Sequence, residues 1–151
     1  MKEFNSIDDI LDFAINAEQE AVDFYNQLAE NAKTEDMRFV FQDFAQEEIS
    51  HKARLIKIKE EGAYEIENKD IADLKIADYT VNVKPTPDIS YQDALVLAMN
   101  KEKAAFKLYS ALARRATNEA MRDLFISLAQ EESKHKLRFE IEYDEYVLRE
   151  N

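Results

Sequence analysis

Residues 14–52 of this chain recur, 84 positions later, as residues 98–136. Laid over one another without a gap, the two stretches agree at 18 of 39 positions. "AINAEQEAVDFYNQLAENA" meets "AMNKEKAAFKLYSALARRA", and "MRFVFQDFAQEEISHK" meets "MRDLFISLAQEESKHK". A chain that contains one unit twice is expected to fold into two similar halves that bury their apolar faces together.

Each unit reads as a helical hairpin. Ile7, Leu11, Ala14, Ala21, Tyr25, Leu28 and Ala32 recur at the three-and-four spacing of one helix face. Ser6 can cap that helix and Asp8 and Asp9 complement its positive end, which predicts a helix from Ser6 to about Lys33. Thr34 caps a second helix bearing Met37, Phe41, Phe44, Leu55 and Ile58, and Gly62, the only glycine, ends it. In the second unit Ser90 and Asp93 form a capping box with Asp in place of Glu. The third helix then runs to about Ala116. Asn118 caps a fourth, which carries Met121, Phe125, Leu128 and Phe139 and continues close to the C-terminus.

Between the hairpins, residues 63–89 lack a sustained period and contain "KPTPD". They read as a long connection with a short helix around Ile71 to Ile76. Connections of this length are uncommon in small domains unless they must travel the length of a bundle before the next helix begins. The predicted fold is all-α: one domain over residues 1–151, with hairpins at 6–62 and 90–149 and a crossover at 63–89.

Composition agrees and excludes several functions. One Gly, two Pro and an abundance of strong helix formers favour long helices over tight hairpins of strands. The absence of Cys removes disulfides, thiolate metal sites, cysteine nucleophiles and iron–sulfur clusters. A formal charge of -12 argues against nucleic acid as a partner. No apolar leader or run long enough to span a bilayer is present, so the expectation is a cytoplasmic protein without a membrane partner.

Shared packing explains the apolar matches between the repeats, such as Ala21 with Ala105 and Phe41 with Phe125. It does not explain Glu18 with Glu102, Glu48 with Glu132, or His51 with His135, the only two histidines. Glu18 lies on the stripe of Leu11, Ala14, Ala21 and Tyr25, and Glu102 on that of Leu95, Ala98, Ala105 and Tyr109. Glu48 and His51 fall between Phe44 and Leu55, and Glu132 and His135 between Leu128 and Phe139. Six ionisable side chains therefore converge on the core. Four buried carboxylates are strongly unfavourable unless protons or cations compensate them, and two divalent cations would balance the charge. Glu and His three residues apart share a helix face, so both can reach one metal.

Neighbouring acids are weaker candidates. Glu47 aligns with Asp43, Ser50 and Arg54, and Glu131 with Ser127, Lys134 and Arg138, so both are expected to face outward. Glu20 has Ala104 as its counterpart and is expected in solvent. Tyr25 and Tyr109, two turns beyond Glu18 and Glu102, are either core aromatics whose hydroxyls need partners or hydrogen-bond donors to the buried carboxylates.

A glutamate from each of two helices plus a Glu-x-x-His pair from each of the other two is the ligand pattern of di-iron carboxylate bundles. The ExxAxxxY blocks at Glu18 to Tyr25 and Glu102 to Tyr109, with the ExxH blocks at Glu48 to His51 and Glu132 to His135, resemble the rubrerythrin branch of the ferritin-like superfamily. The resemblance covers both hairpins. It implies a ferritin-like four-helix bundle in which Glu18, Glu48, Glu102 and Glu132 ligate two irons and His51 and His135 are terminal imidazole ligands. Manganese and zinc are also compatible with this donor set. Rubrerythrins typically carry a further glutamate where this chain has Ala105, and a cysteine-bearing rubredoxin domain that has no counterpart here.

The resemblance implies a di-iron oxidoreductase that reduces hydrogen peroxide with electrons from an external donor such as a rubredoxin. Oxidation of ferrous iron by dioxygen, for iron handling, is a second reading. A redox-inactive metal-binding protein is a third. The long crossover also suggests a homodimer in which hairpins exchange between chains.

Overall fold

The structure, a computed structural model, describes residues 3–83, 85, 86 and 88–150. Among these are four long helices, α1 (Ile7–Glu30), α2 (Glu35–Glu61), α4 (Tyr91–Arg115) and α5 (Glu119–Glu150), and one short one, α3 (Asn68–Asp73). Each predicted cap is in place. Ser6, Thr34 and Ser90 accept from the backbone N–H groups of Asp9, Met37 and Asp93, and Asn118 Oδ1 accepts from that of Met121. Gly62 closes α2 at φ 60°, left-handed backbone that a side chain would strain.

Contacts between the helices fix their directions. Along α1 and α2 the pairs Gln19 with Lys52 and Asp12 with Lys59 run in opposite senses. Tyr91 with Glu142 and Tyr109 with Phe125 do the same for α4 and α5. Tyr25 with Glu102 and Tyr109 with Glu18 make α1 and α4 antiparallel, and His51 with Glu131 and His135 with Glu47 make α2 and α5 antiparallel. Two such hairpins cannot be joined by a short loop, because α2 ends at the opposite end of the bundle from the start of α4. The crossover therefore runs the length of the molecule, as the sequence implies.

Within it, helix α3 begins earlier than expected and stops at Asp73, and a separate 3₁₀ turn spans Ile76–Tyr79. Tyr64 and Leu74 bury their side chains, and the Tyr64 hydroxyl donates to the Leu112 carbonyl at 2.6 Å. Lys84 and Pro87 of the "KPTPD" break lie outside the described residues.

The apolar interior is divided in two. One cluster gathers residues such as Leu11, Leu55, Leu112, Phe125 and Leu128. The other gathers Tyr25, Leu28, Phe41, Leu95 and Phe139. Full burial of each such side chain contributes about 1.5–3 kcal/mol. Between the clusters lies a layer of six buried ionisable side chains.

Candidate metal centre

That layer consists of the predicted set: Glu18, Glu48, His51, Glu102, Glu132 and His135, each no more than 3% exposed. Helices α1 and α4 present one glutamate each. On α2 and α5 the three-residue spacing places Glu and His on the inner face together. His51 Nδ1 lies 3.1 Å from Glu48 Oε1, 3.3 Å from Glu132 Oε1 and 3.6 Å from Glu18 Oε2. His135 Nδ1 lies 3.6 Å from Glu48 Oε1, 3.6 Å from Glu102 Oε1 and 3.7 Å from Glu132 Oε1.

The donor atoms form two overlapping groups. Glu18, Glu48, His51 and Glu132 can hold one ion, and Glu48, Glu102, Glu132 and His135 a second, with the atoms of each group within 4.8 Å of one another. Glu48 and Glu132 belong to both groups, whereas Glu18 with His51, from α1 and α2, and Glu102 with His135, from α4 and α5, each belong to one. Among the described residues, six buried side-chain atoms make no hydrogen bond: Glu18 Oε2, Glu48 Oε1, His51 Nδ1, Glu102 Oε2, Glu132 Oε1 and His135 Nδ1. One comes from each member of the set. Buried polar atoms ordinarily have partners, and oxygen with imidazole donors suits divalent iron, manganese or zinc, so the residues fit a two-metal centre.

The charge state carries the same imprint. Burial, with the charges of Glu102 and Glu18, pushes the Glu48 carboxyl up to about 8. Burial raises Glu102 and raises Glu132 well above the usual carboxylate range. Burial by itself would lower His51 and His135, but the surrounding carboxylates reverse this and push them up to about 11 and about 9. Without cations the cluster holds protons in their place.

Both tyrosines donate into the layer, each to the glutamate of the other repeat. Tyr109 Oη donates to Glu18 Oε1 at 2.5 Å, and Tyr25 Oη donates to Glu102 Oε1. They are core aromatics and carboxylate partners at once, so the two readings are one. Burial and the adjacent carboxylates raise both hydroxyls well above the usual tyrosine range, which keeps them protonated donors.

The structure keeps Glu47 and Glu131 out of the donor groups and adds a contact to the reading of each. They leave the helices on the flank and stay partly exposed, yet Glu131 Oε2 meets His51 Nε2 and Glu47 Oε2 lies 2.5 Å from His135 Nε2. A carboxylate only accepts, so each imidazole donates through Nε2 and turns Nδ1 toward the centre when neutral. These contacts cross between hairpins, and no pattern along a single helix reveals them. The available signal was identity: Glu47 and Glu131 also match between the repeats.

A cavity of about 320 Å³ between α1 and α4 reaches the carboxylates. Ala17, Ala21, Ala104 and Ala105 leave the space open, and Tyr79, Thr80 and Val81 of the crossover line it. Glu20 is 71% exposed, as expected, but it also lines this cavity, 4.0 Å from the largely buried Lys101. Burial lowers the Lys101 pKa, against the opposing pull of Glu20. Sequence reasoning did not single out Lys101, nor the buried Glu142, although Glu142 continues the inward stripe of Glu132, His135 and Phe139.

A model of the rubrerythrin family matches residues 9–143. A solved structure from Thermotoga maritima, described as a ferritin-like diiron-carboxylate protein, is similar with a TM-score of 0.77 at 23% identity, over 97% of this chain and 99% of that one. No curated protein matches. No helix among the described residues is long and apolar enough to cross a membrane.

Proposed function

The chain belongs to the rubrerythrin family, and from that premise we propose that it is a non-haem di-iron oxidoreductase reducing hydrogen peroxide to water with electrons from a separate donor. One observation carries the metal part: the six buried atoms without hydrogen bonds are one from each residue of the di-iron ligand pattern. The peroxide part is supported by family membership.

Two irons held by these six residues would supply the two electrons that reduction of one peroxide requires, and two protons would complete the two waters. The chain's own groups do the rest. Glu131 and Glu47 fix the imidazoles of His51 and His135, so the lone pair at Nδ1 points inward. Tyr109 and Tyr25 hold one oxygen of Glu18 and of Glu102, leaving Oε2 of each free. The cavity between α1 and α4 gives a small reactant a way to the carboxylates while the apolar clusters on either side exclude bulk water.

A rubredoxin-like protein in a reducing, cytoplasmic setting is the class of donor this reading requires. A homodimer is the proposed assembly. One chain brings all six residues together, and hairpins exchanged between two chains would assemble the same set. Light scattering at micromolar concentration tests the dimer.

The deciding experiment loads the protein with ferrous iron without oxygen and follows its oxidation by visible absorbance, with peroxide or dioxygen. Faster oxidation by peroxide is expected. Faster oxidation by dioxygen would replace this reading with ferrous oxidation and iron handling, and no oxidation by either would leave a redox-inactive metal protein.

A further inference from the structure

Glu142 is a buried carboxylate outside the metal layer, and its counterpart in the first repeat is Ile58. An apolar residue fills such a place without the desolvation cost of a charge. What Glu142 does instead is accept the Tyr91 hydroxyl at 2.8 Å, with the Arg149 guanidinium 3.3 Å away. Tyr91 and Tyr146 are equally specific to this half, standing at the offsets of Ile7 and Gly62.

Tyr91 belongs to a chain of aromatic rings that starts at the metal layer. Phe44 stacks on His135 with centroids 4.0 Å apart and meets Phe139 at 5.4 Å. Tyr25, the donor to Glu102, meets the same Phe139 at 5.2 Å. From Phe139 the rings continue to Phe41 at 5.8 Å, Tyr91 at 6.3 Å and Tyr146 at 5.1 Å. Tyr146 lines a surface pocket. The other half supplies an internal comparison: Tyr109 leads through Phe125 to Tyr64, whose hydroxyl donates to the Leu112 carbonyl.

The difference lies in the acceptor. Oxidation of a tyrosine at neutral pH requires its proton to leave with the electron. A carboxylate can take that proton and an amide carbonyl cannot. The Lys33 ammonium, 5.5 Å from the Tyr91 ring centre, further disfavours a ring that keeps its proton and becomes positive.

We propose that Tyr91 and Glu142 form a proton-coupled oxidation site that draws stray oxidising equivalents away from the metal ligands. When peroxide is consumed at the centre and the donor leaves it one electron short, Tyr91 supplies that electron. Its hydroxyl proton passes to Glu142 Oε2, leaving a neutral phenoxyl radical and a carboxylic acid. A one-electron reductant arriving beside Tyr146, of the thiol or ascorbate class, restores the electron, and the proton returns from Glu142. Peroxide as the source rests on the function proposed above; the site itself does not.

The test has two arms. In the first, metal-free protein is oxidised by one electron with photo-excited ruthenium tris-bipyridine and persulfate, the radical is read by electron paramagnetic resonance, and modified residues are mapped by mass spectrometry. A tyrosyl radical at Tyr91, lost in Tyr91→Phe and diminished in Glu142→Gln, is expected, with Tyr64 spared. Oxidation at Tyr64 equal to that at Tyr91, or a signal indifferent to Glu142→Gln, overturns the proposal. Both variants keep the shape of the side chain, and thermal melting verifies that they fold. In the second arm, iron-loaded protein receives peroxide without a donor. The same Tyr91 radical is expected, with more oxidation of His51 and His135 in Tyr91→Phe; peroxide consumption without that radical overturns the escape route. If no peroxide is consumed, the function proposed above fails, and the first arm alone decides whether Tyr91 and Glu142 form an oxidation site.

Discussion

His135 Nε2 and Glu47 Oε2 lie 2.5 Å apart, although the two residues belong to different hairpins. The contact orients an imidazole from outside the centre and joins the two halves at the metal layer. Groups in this position typically account for about 10–100-fold in metal affinity. Glu47→Ala and Glu131→Ala are therefore expected to weaken metal binding by roughly that factor while the bundle still folds. Glu131 is the less exposed of the two, at 35% against 54%, and its removal should cost more. Competition titration against a chromophoric chelator measures both.

The metal-free protein should become less stable as pH rises. Glu48, His51 and His135 have folded-state pKa values above their ordinary ones, at about 8, about 11 and about 9. Each group binds more protons folded than unfolded, so its contribution is full below the unfolded pKa and disappears as pH passes the folded one. Between the ordinary histidine value of 6.5 and about 8 all three act in the same direction. Each extra proton held by the folded state lowers stability by about 1.4 kcal/mol per pH unit, roughly 3–6 °C of melting temperature in a chain of this size. Thermal melts across that window check the slope, which divalent metal should flatten because bound cations displace the protons.

Tyr109→Phe should destabilise the metal-free protein by about 1–3 kcal/mol, since it strips a buried carboxylate oxygen of its donor without opening a cavity. Denaturant unfolding with and without metal measures it. A smaller loss in the loaded form is expected, where the cation shares the charge of Glu18.

Ala105→Leu should fill the space between α1 and α4. The variant is expected to bind as many metal ions as the parent and to be oxidised more slowly, because only the approach of the reactant is narrowed. Metal analysis beside stopped-flow absorbance separates the two effects.

Gly62→Ala tests the end of α2 apart from any chemistry. An added Cβ meets no atom within 4 Å, so the cost is the left-handed backbone alone, about 1–2 kcal/mol. Unfolding measurements should find that loss with metal affinity unchanged.

Much of this was readable along the chain. The caps at Ser6, Thr34, Ser90 and Asn118 and the six inward ionisable residues follow from local chemistry and helical phase, both carried by short windows of sequence. Glu47 and Glu131 were placed on the flank by the same phase, which is where their backbones are. What phase cannot supply is the distance from that flank to a histidine on the facing helix of the other hairpin. Glu142 lies on the inward stripe, but its meaning depends on Tyr91, 51 residues earlier. The crossover was recognisable by its missing period, while its helix and turn are set by what they cover.

The match between the halves also works as a record. Two copies that began alike have kept the residues that the centre requires from both, and substitutions elsewhere mark where the copies took up separate duties. Lys101 opposite Ala17, Glu20 opposite Ala104, and Glu142 opposite Ile58 are such marks. Outside the centre each position exists in two versions, so the halves can differ at a cavity wall or a buried place while both keep what the metal layer needs.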